Sequence, residues 1–158
     1  MAPTTVNSIN FDLPHAAPGS LDVRWIHGSI SAKHNTDPDI QVHPYNEHTI
    51  ILRQNMAVHP EAPFMFLLFG NDRAILLDTG ATRSSDFFPL RQTVDTLIDQ
   101  WVTKYPHKNY QLIVAHTHLH RDHFEADPQF LDRPNTVMVD KTLEATQTIN
   151  GFQNWPQD

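Results

Sequence analysis

His116-Thr117-His118-Leu119-His120-Arg121-Asp122-His123 sets four imidazoles and a carboxylate within eight residues, directly after the apolar run Gln111 to Ala115. Neutral imidazole and ionised carboxylate suit zinc and its first-row neighbours, and a zinc site needs three or four such ligands converging. The stretch therefore offers most of one site. In an extended chain the side chains alternate, so His116, His118, His120 and Asp122 are expected on one side. Asp122 and His123 are adjacent and can share that side only if the chain turns. Asp122 followed by Glu125 reads as a helix N-cap with its capping box, and Pro128 limits the helix to about one turn. The expected order is strand, ligand loop, helix start.

Upstream, apolar residues at Leu90, Val94, Leu97, Ile98, Trp101, Val102 and Tyr105 recur with a period near 3.6 and stop before Pro106, which predicts a helix. Trp101 is read as core or interface filler on that helix, not as a cofactor platform. Before it, Phe64 to Phe69 and Arg73 to Leu77 form the clearest hairpin, joined through Gly70-Asn71-Asp72. Their continuous apolar runs predict strands buried on both faces. The second of them ends at Asp78-Thr79-Gly80, which puts a carboxylate where the chain leaves the sheet.

Thr49 to Arg53 reads as a short strand, and Leu21 to Ile30 as a first strand with Val23, Trp25 and His27 on one face. Between them Ser31 to Glu47 is polar and turn-rich, with Asp37-Pro38 and His43-Pro44. His34, His43 and His48 have no ligand spacing and are read as exposed or hydrogen-bonded, as is His59. The functional alternative for this loop is a rim of the substrate cleft. Met1 to Ser20, with Pro3, Pro14, Pro18 and Gly19, reads as an arm, which makes 1–20 an N-terminal arm and 21–158 the domain. Downstream, Thr136 to Val139 is expected as a strand and Lys141 to Thr148 as a helix start.

Thr117-His118-Leu119-His120-Arg121-Asp122-His123 resembles the T-H-x-H-x-D-H signature of the metallo-β-lactamase superfamily, and Leu76-Leu77-Asp78-Thr79-Gly80 resembles the strand-end motif that precedes it there. The resemblance implies an α+β fold, an αββα sandwich of which this chain resembles the N-terminal half over roughly Leu21 to Asp140. It also implies that His118 and His120 hold one metal, that Asp122 and His123 hold a second, and that Asp78 orients the loop. His116 lies one step outside the pattern and is read as a strand-end histidine bonded to backbone. The family's remaining ligands come from its second half, and after His123 this chain has no histidine. The Gly-Gly that commonly comes after the motif is replaced by Glu125-Ala126, and Arg121 adds a cation beside Asp122.

The implied activity is zinc-dependent hydrolysis, with two zinc ions in the complete site and Asp122 as the catalytic carboxylate that orients the nucleophile. The substrate would be a small carbonyl compound such as a lactam, a lactone or a thioester. Leu21 to Ala32 and His48 to Phe69 resemble fungal hydrolases that open lactam rings. The rival reading is a non-catalytic metal-binding or interaction module. A chain resembling half of a sandwich is expected to be a fragment, a short protein that forms a homo-oligomer, or one member of a pair completed by a separate C-terminal half.

Composition bounds these readings. With 158 residues, 39% of them hydrophobic, and no long apolar run, the chain reads as a soluble globular domain. A formal charge of -7 without a Lys/Arg cluster argues against nucleic acid or an anionic membrane as partner. With no cysteine, a disulfide framework and thiolate ligands are both excluded, so any zinc must use nitrogen and oxygen. Met1 to Pro14 lacks the basic and apolar regions of a secretory signal, and the expected location is cytoplasmic.

Overall fold

The hairpin read from Phe64–Phe69 and Arg73–Leu77 is present at those bounds, at the centre of a six-stranded mixed sheet. The computed structural model describes residues 19–28, 31–142 and 144. The strands lie in sequence order: β1 (Ile40–Asn46), β2 (Thr49–Gln54), β3 (Phe64–Phe69), β4 (Arg73–Leu77), β5 (Gln111–Ala115) and β6 (Thr136–Met138). Pairing is antiparallel from β1 to β4 and parallel from β4 to β6. Parallel neighbours need a crossover, and helix α1 (Leu90–Lys104) supplies it between β4 and β5. The short helix α2 (Arg121–Phe124) lies between β5 and β6. The carboxyl ends of β4, β5 and β6 thus open at one edge of the sheet.

Helix α1 buries Leu90, Val94, Ile98 and Trp101 in one cluster with Leu52, Met65, Leu67, Ala74, Leu76, Leu112 and Val114. Register places those strand residues on a single face. Trp101 stacks on Phe69 at 4.7 Å between ring centroids, as core filler does. At the helix end, Lys104 and Tyr105 both hydrogen-bond Glu47 in the β1–β2 turn.

The expectation of strands buried on both faces is corrected. Burial alternates along β3, β4 and β5, and Phe66, Leu68, Ile75, Leu77 and Ile113 on the second face are only half-buried. The apolar runs made both faces hydrophobic, but within the described residues only one is fully packed. At the far end of that second face, Trp25 packs edge-on against His43 and Phe64, and the Arg53 guanidinium lies 4.4 Å above Phe64.

Three further expectations are corrected. Residues 19–28 do not form a strand: the segment runs beside β1, but β1 and β2 side chains hold much of it. Gln41 bonds Ile26 N and Arg24 O, His43 Nε2 bonds Ser20 O, and Arg53 Nε donates to Ile26 O. Within the stretch read as a loop, Ile40–Asn46 is a strand. Its proline concealed it, and Pro44 is tolerated because β1 is an edge, with the register shifting between Pro44 and Asn46. Helix α2 begins at Arg121 with His120 in the N-cap position and no side-chain cap bond, so Asp122 is not the cap. Glu125 instead accepts two bonds from Arg121 at 3.1 Å each, which removes it from a capping box. Strand β6 ends at Met138, one residue short of the expected Val139. The expected arm over residues 1–20 and helix start over 141–148 lie largely outside the described residues.

Candidate metal centre

Asp78 directly follows β4, with φ at +66°, and is almost fully buried. Its Oδ1 accepts from Thr117 N at 2.8 Å, and its Oδ2 accepts from Thr117 Oγ1 and His123 Nδ1, each at 2.8 Å. One buried carboxylate therefore grips both ends of the loop from Thr117 to His123. The backbone closes the same junction, with Thr79 N donating to His123 O at 2.7 Å and Glu125 N to Gly80 O at 3.0 Å. With Nδ1 of His123 directed at Asp78, its Nε2 is the nitrogen left for other chemistry.

The four residues that the motif proposes as ligands fall into pairs. His118 Nε2 and His120 Nδ1 lie 3.2 Å apart, and both side chains are exposed. His123 Nε2 and Asp122 Oδ2 lie 3.1 Å apart. Ligand atoms at zinc bonds of about 2.0–2.1 Å in a tetrahedron sit roughly 3.3 Å from each other, so each pair is spaced like one edge of such a site. His118 and His123 bring the pairs together, with ring centroids 3.9 Å apart. Among the described residues, however, no group of three or more histidine, aspartate or glutamate side chains converges to hold one ion. The donor chemistry fits zinc, while the geometry provides pairs and not a closed site.

His116 does not share the side of His118 and His120. Its side chain is 3% exposed and its Nε2 donates to Asp127 Oδ1 at 2.8 Å, so the expected backbone partner is replaced by a carboxylate. The strand ends at Ala115, and beyond it the alternation of an extended chain no longer applies. Arg121 is exposed and paired with Glu125, whose carboxyl it holds below its ordinary value against the opposing effect of burial. His43 and His48 serve packing and hydrogen bonding away from the loop. His59 lines a cleft of about 570 Å³ that also touches Val58, Thr82, Arg83, Arg121 and Asp122.

Two groups at this edge were not legible as part of the site. Gln54, fully buried, accepts from Ala81 N at 2.9 Å and donates to Thr82 Oγ1 at 2.7 Å, fixing the loop that leaves β4. Asp127 receives Thr79, His116 and Lys141. Burial pushes its carboxyl up, but the bonds from His116 and Lys141 outweigh this and hold it below the usual aspartate value. A polar residue on the core face of an apolar strand was the available signal for Gln54. Asp127 carried none, because its partners lie far apart in sequence.

No protein-family model matches the sequence, and no curated protein matches it. Among solved structures, TMB-1 is similar at 17% identity and a TM-score of 0.42, over 73% of this chain and 49% of that one. The DIM-1 metallo-beta-lactamase exposed to ceftazidime is similar at 17% identity and a TM-score of 0.44, over 72% of this chain and 48% of its own. VMB-1 is similar at 17% identity and a TM-score of 0.42, over 73% and 49%. The chain spans about half the length of each of these structures.

Proposed function

We propose that this chain carries the metal-holding loop of a zinc-dependent hydrolase that acts on a small carbonyl compound, a lactam, lactone or thioester. The observation that carries the reading is the pairing of His118 with His120 and of Asp122 with His123 at one edge of the sheet, under the grip of Asp78. The motif resemblance supports the same assignment of ligands. Zinc, when bound, supplies Lewis acidity that activates water and polarises a carbonyl.

The chain's own residues prepare for that chemistry. Asp78 fixes the ring orientation of His123 through Nδ1, and it fixes the loop backbone through Thr117 N. Asp122 holds its carboxylate beside His123 Nε2, where it can accept a hydrogen bond from an incoming water and orient it. The cleft along Thr82, Arg83 and Asp122 offers room for a small substrate next to the loop.

The test uses the full chain with zinc alone, by competition with a chromophoric chelator, and then a lactam, a lactone and a thioester. Binding is expected at micromolar strength or weaker, since each ion finds two protein ligands here where stable sites have three or four. His118→Ala and His120→Ala should each abolish the first site's share of zinc, and Asp122→Ala should spare it while lowering turnover. Full zinc binding by His118→Ala would overturn the ligand assignment. The absence of a third converging donor among the described residues favours one second reading, a non-catalytic metal-binding module. Zinc binding by the chain with no turnover of any of the three substrates, alone or with a C-terminal half added, would select it.

A further inference from the structure

Beneath the ligand loop, Asp127 collects bonds from three places in the chain. Its Oδ1 accepts from Thr79 Oγ1 at 2.9 Å and from His116 Nε2 at 2.8 Å, and its Oδ2 accepts from Lys141 Nζ at 2.6 Å. Thr79 lies just past the end of β4, His116 just past the end of β5, and Lys141 just beyond β6. One carboxylate thus ties together the carboxyl ends of all three parallel strands. Thr79 and His116 are also the chain neighbours of Asp78 and Thr117, the pair that holds the loop from the other side.

The tie extends to α2. Lys141 Nζ lies 4.3 Å above the Phe124 ring, and the His116 ring meets the same ring edge-on at 6.2 Å. Thr79 N in turn donates to His123 O. Displacing the Asp127 carboxylate would therefore release the loop at its first residue, at its last ligand and at Phe124, the end of α2. A buried carboxylate stripped of one partner also leaves an unpaired polar group, which the surrounding chain must move to satisfy.

We propose that Asp127 is a positioning residue for the ligand loop, acting through His116, Thr79 and Lys141 to fix where His118 and His123 project. It touches none of the proposed ligands itself. The proposal rests on the reading of 116–123 as a metal-holding loop, and its test separates the two. His116 belongs to the same positioning device, so its loss has consequences well beyond one local hydrogen bond.

The experiment compares the full chain with Asp127→Asn, His116→Leu, His116→Gln and Val94→Ala. Asp127→Asn keeps the shape and removes the charge; His116→Leu removes the donor; His116→Gln restores a side-chain N–H. Val94→Ala loosens the core away from the loop. Amide hydrogen exchange of the metal-free chain is read for 116–124 against β2 and β3, and zinc affinity is read by chelator competition. Asp127→Asn and His116→Leu should each raise exchange in 116–124 relative to β2 and β3 and weaken zinc binding by about ten-fold or more. His116→Gln should recover most of both, and Val94→Ala should show no loop-specific change.

Uniform acceleration across the sheet in the first two variants, or unchanged zinc affinity despite a loosened loop, would overturn the positioning role. If the unaltered chain binds no zinc, the metal reading fails and hydrogen exchange alone decides the positioning role. Should Asp127→Asn fail to fold, His116→Leu against His116→Gln gives the same comparison from the other side of the bond.

Discussion

Asp78 adopts a left-handed backbone conformation that a residue with a Cβ occupies at roughly 1–2 kcal/mol above its preferred regions. It is kept there by the bonds from Thr117 and His123 to its carboxylate, together with its own N–H to Ala115 O at 2.8 Å. Both Asp78→Ala and Asp78→Gly should therefore destabilise the fold, because each removes the acceptor of three part-buried hydrogen bonds, at about 1 kcal/mol apiece. The glycine variant should be the less damaged of the two, by about 1 kcal/mol, since it relieves the backbone. Urea unfolding of the pair measures that difference, and equal stability would show that the backbone carries no strain. Tyr110 gives a second outcome of this kind. Burial pushes its hydroxyl up to about 12. A folded pKa above the ordinary value of 10 means that this contribution to stability is complete below pH 10 and is lost as pH rises through about 12. Ultraviolet titration should find one of the three tyrosines ionising late, and Tyr110→Phe should remove that late step.

Among the secondary-structure elements, α1 was the most legible. Its period, its stop before Pro106 and its buried residues Leu90, Val94, Ile98 and Trp101 match the apolar spacing. Trp101 lies between Phe69 and Tyr105, so Trp101→Ala should cost about 3–5 kcal/mol in urea unfolding, with Trp101→Phe costing less. A loss under about 1 kcal/mol for the alanine variant, on the order of a surface change, would show that α1 does not close the core. Strand β1 and helix α2 were harder to read. In β1 an edge position excuses a proline that would disqualify a central strand, and sequence does not say which strand is the edge. In α2 the Asp122 carboxylate turns to His123 rather than capping the helix, a choice between partners made by the surrounding fold.

Across the molecule, the sheet has one face packed by α1 and a second face on which Phe66, Leu68, Ile75, Leu77 and Ile113 are half-buried, ending at exposed Val137. Contiguous apolar patches beyond roughly 300–600 Å² are unusual on monomers. We expect this chain to associate, with itself or with a further polypeptide, through that face. Light scattering over a concentration series should show mass rising with concentration, and Phe66→Glu should suppress it. A dilution-stable monomer indifferent to Phe66→Glu would show that the face is satisfied within the chain. No described helix is long and apolar enough to cross a membrane.

Local and periodic features were readable from the amino acids alone. Strands β2 to β5, the crossover helix and the position of the ligand-type residues after β5 all come from apolar spacing and from one dense histidine stretch, because each signal lies within a few residues of itself. Which histidine faces which partner was a matter for the folded chain. His116 and His118 are two residues apart, yet one is sealed against Asp127 and the other is exposed beside His120. That separation depends on Asp78 and Asp127 arriving at the same sheet edge, Asp78 from 39 residues before Thr117 and Asp127 from 11 residues after His116. No local pattern encodes such an arrival: it comes from the parallel pairing of β4, β5 and β6, which brings three strand ends and two buried carboxylates to one edge.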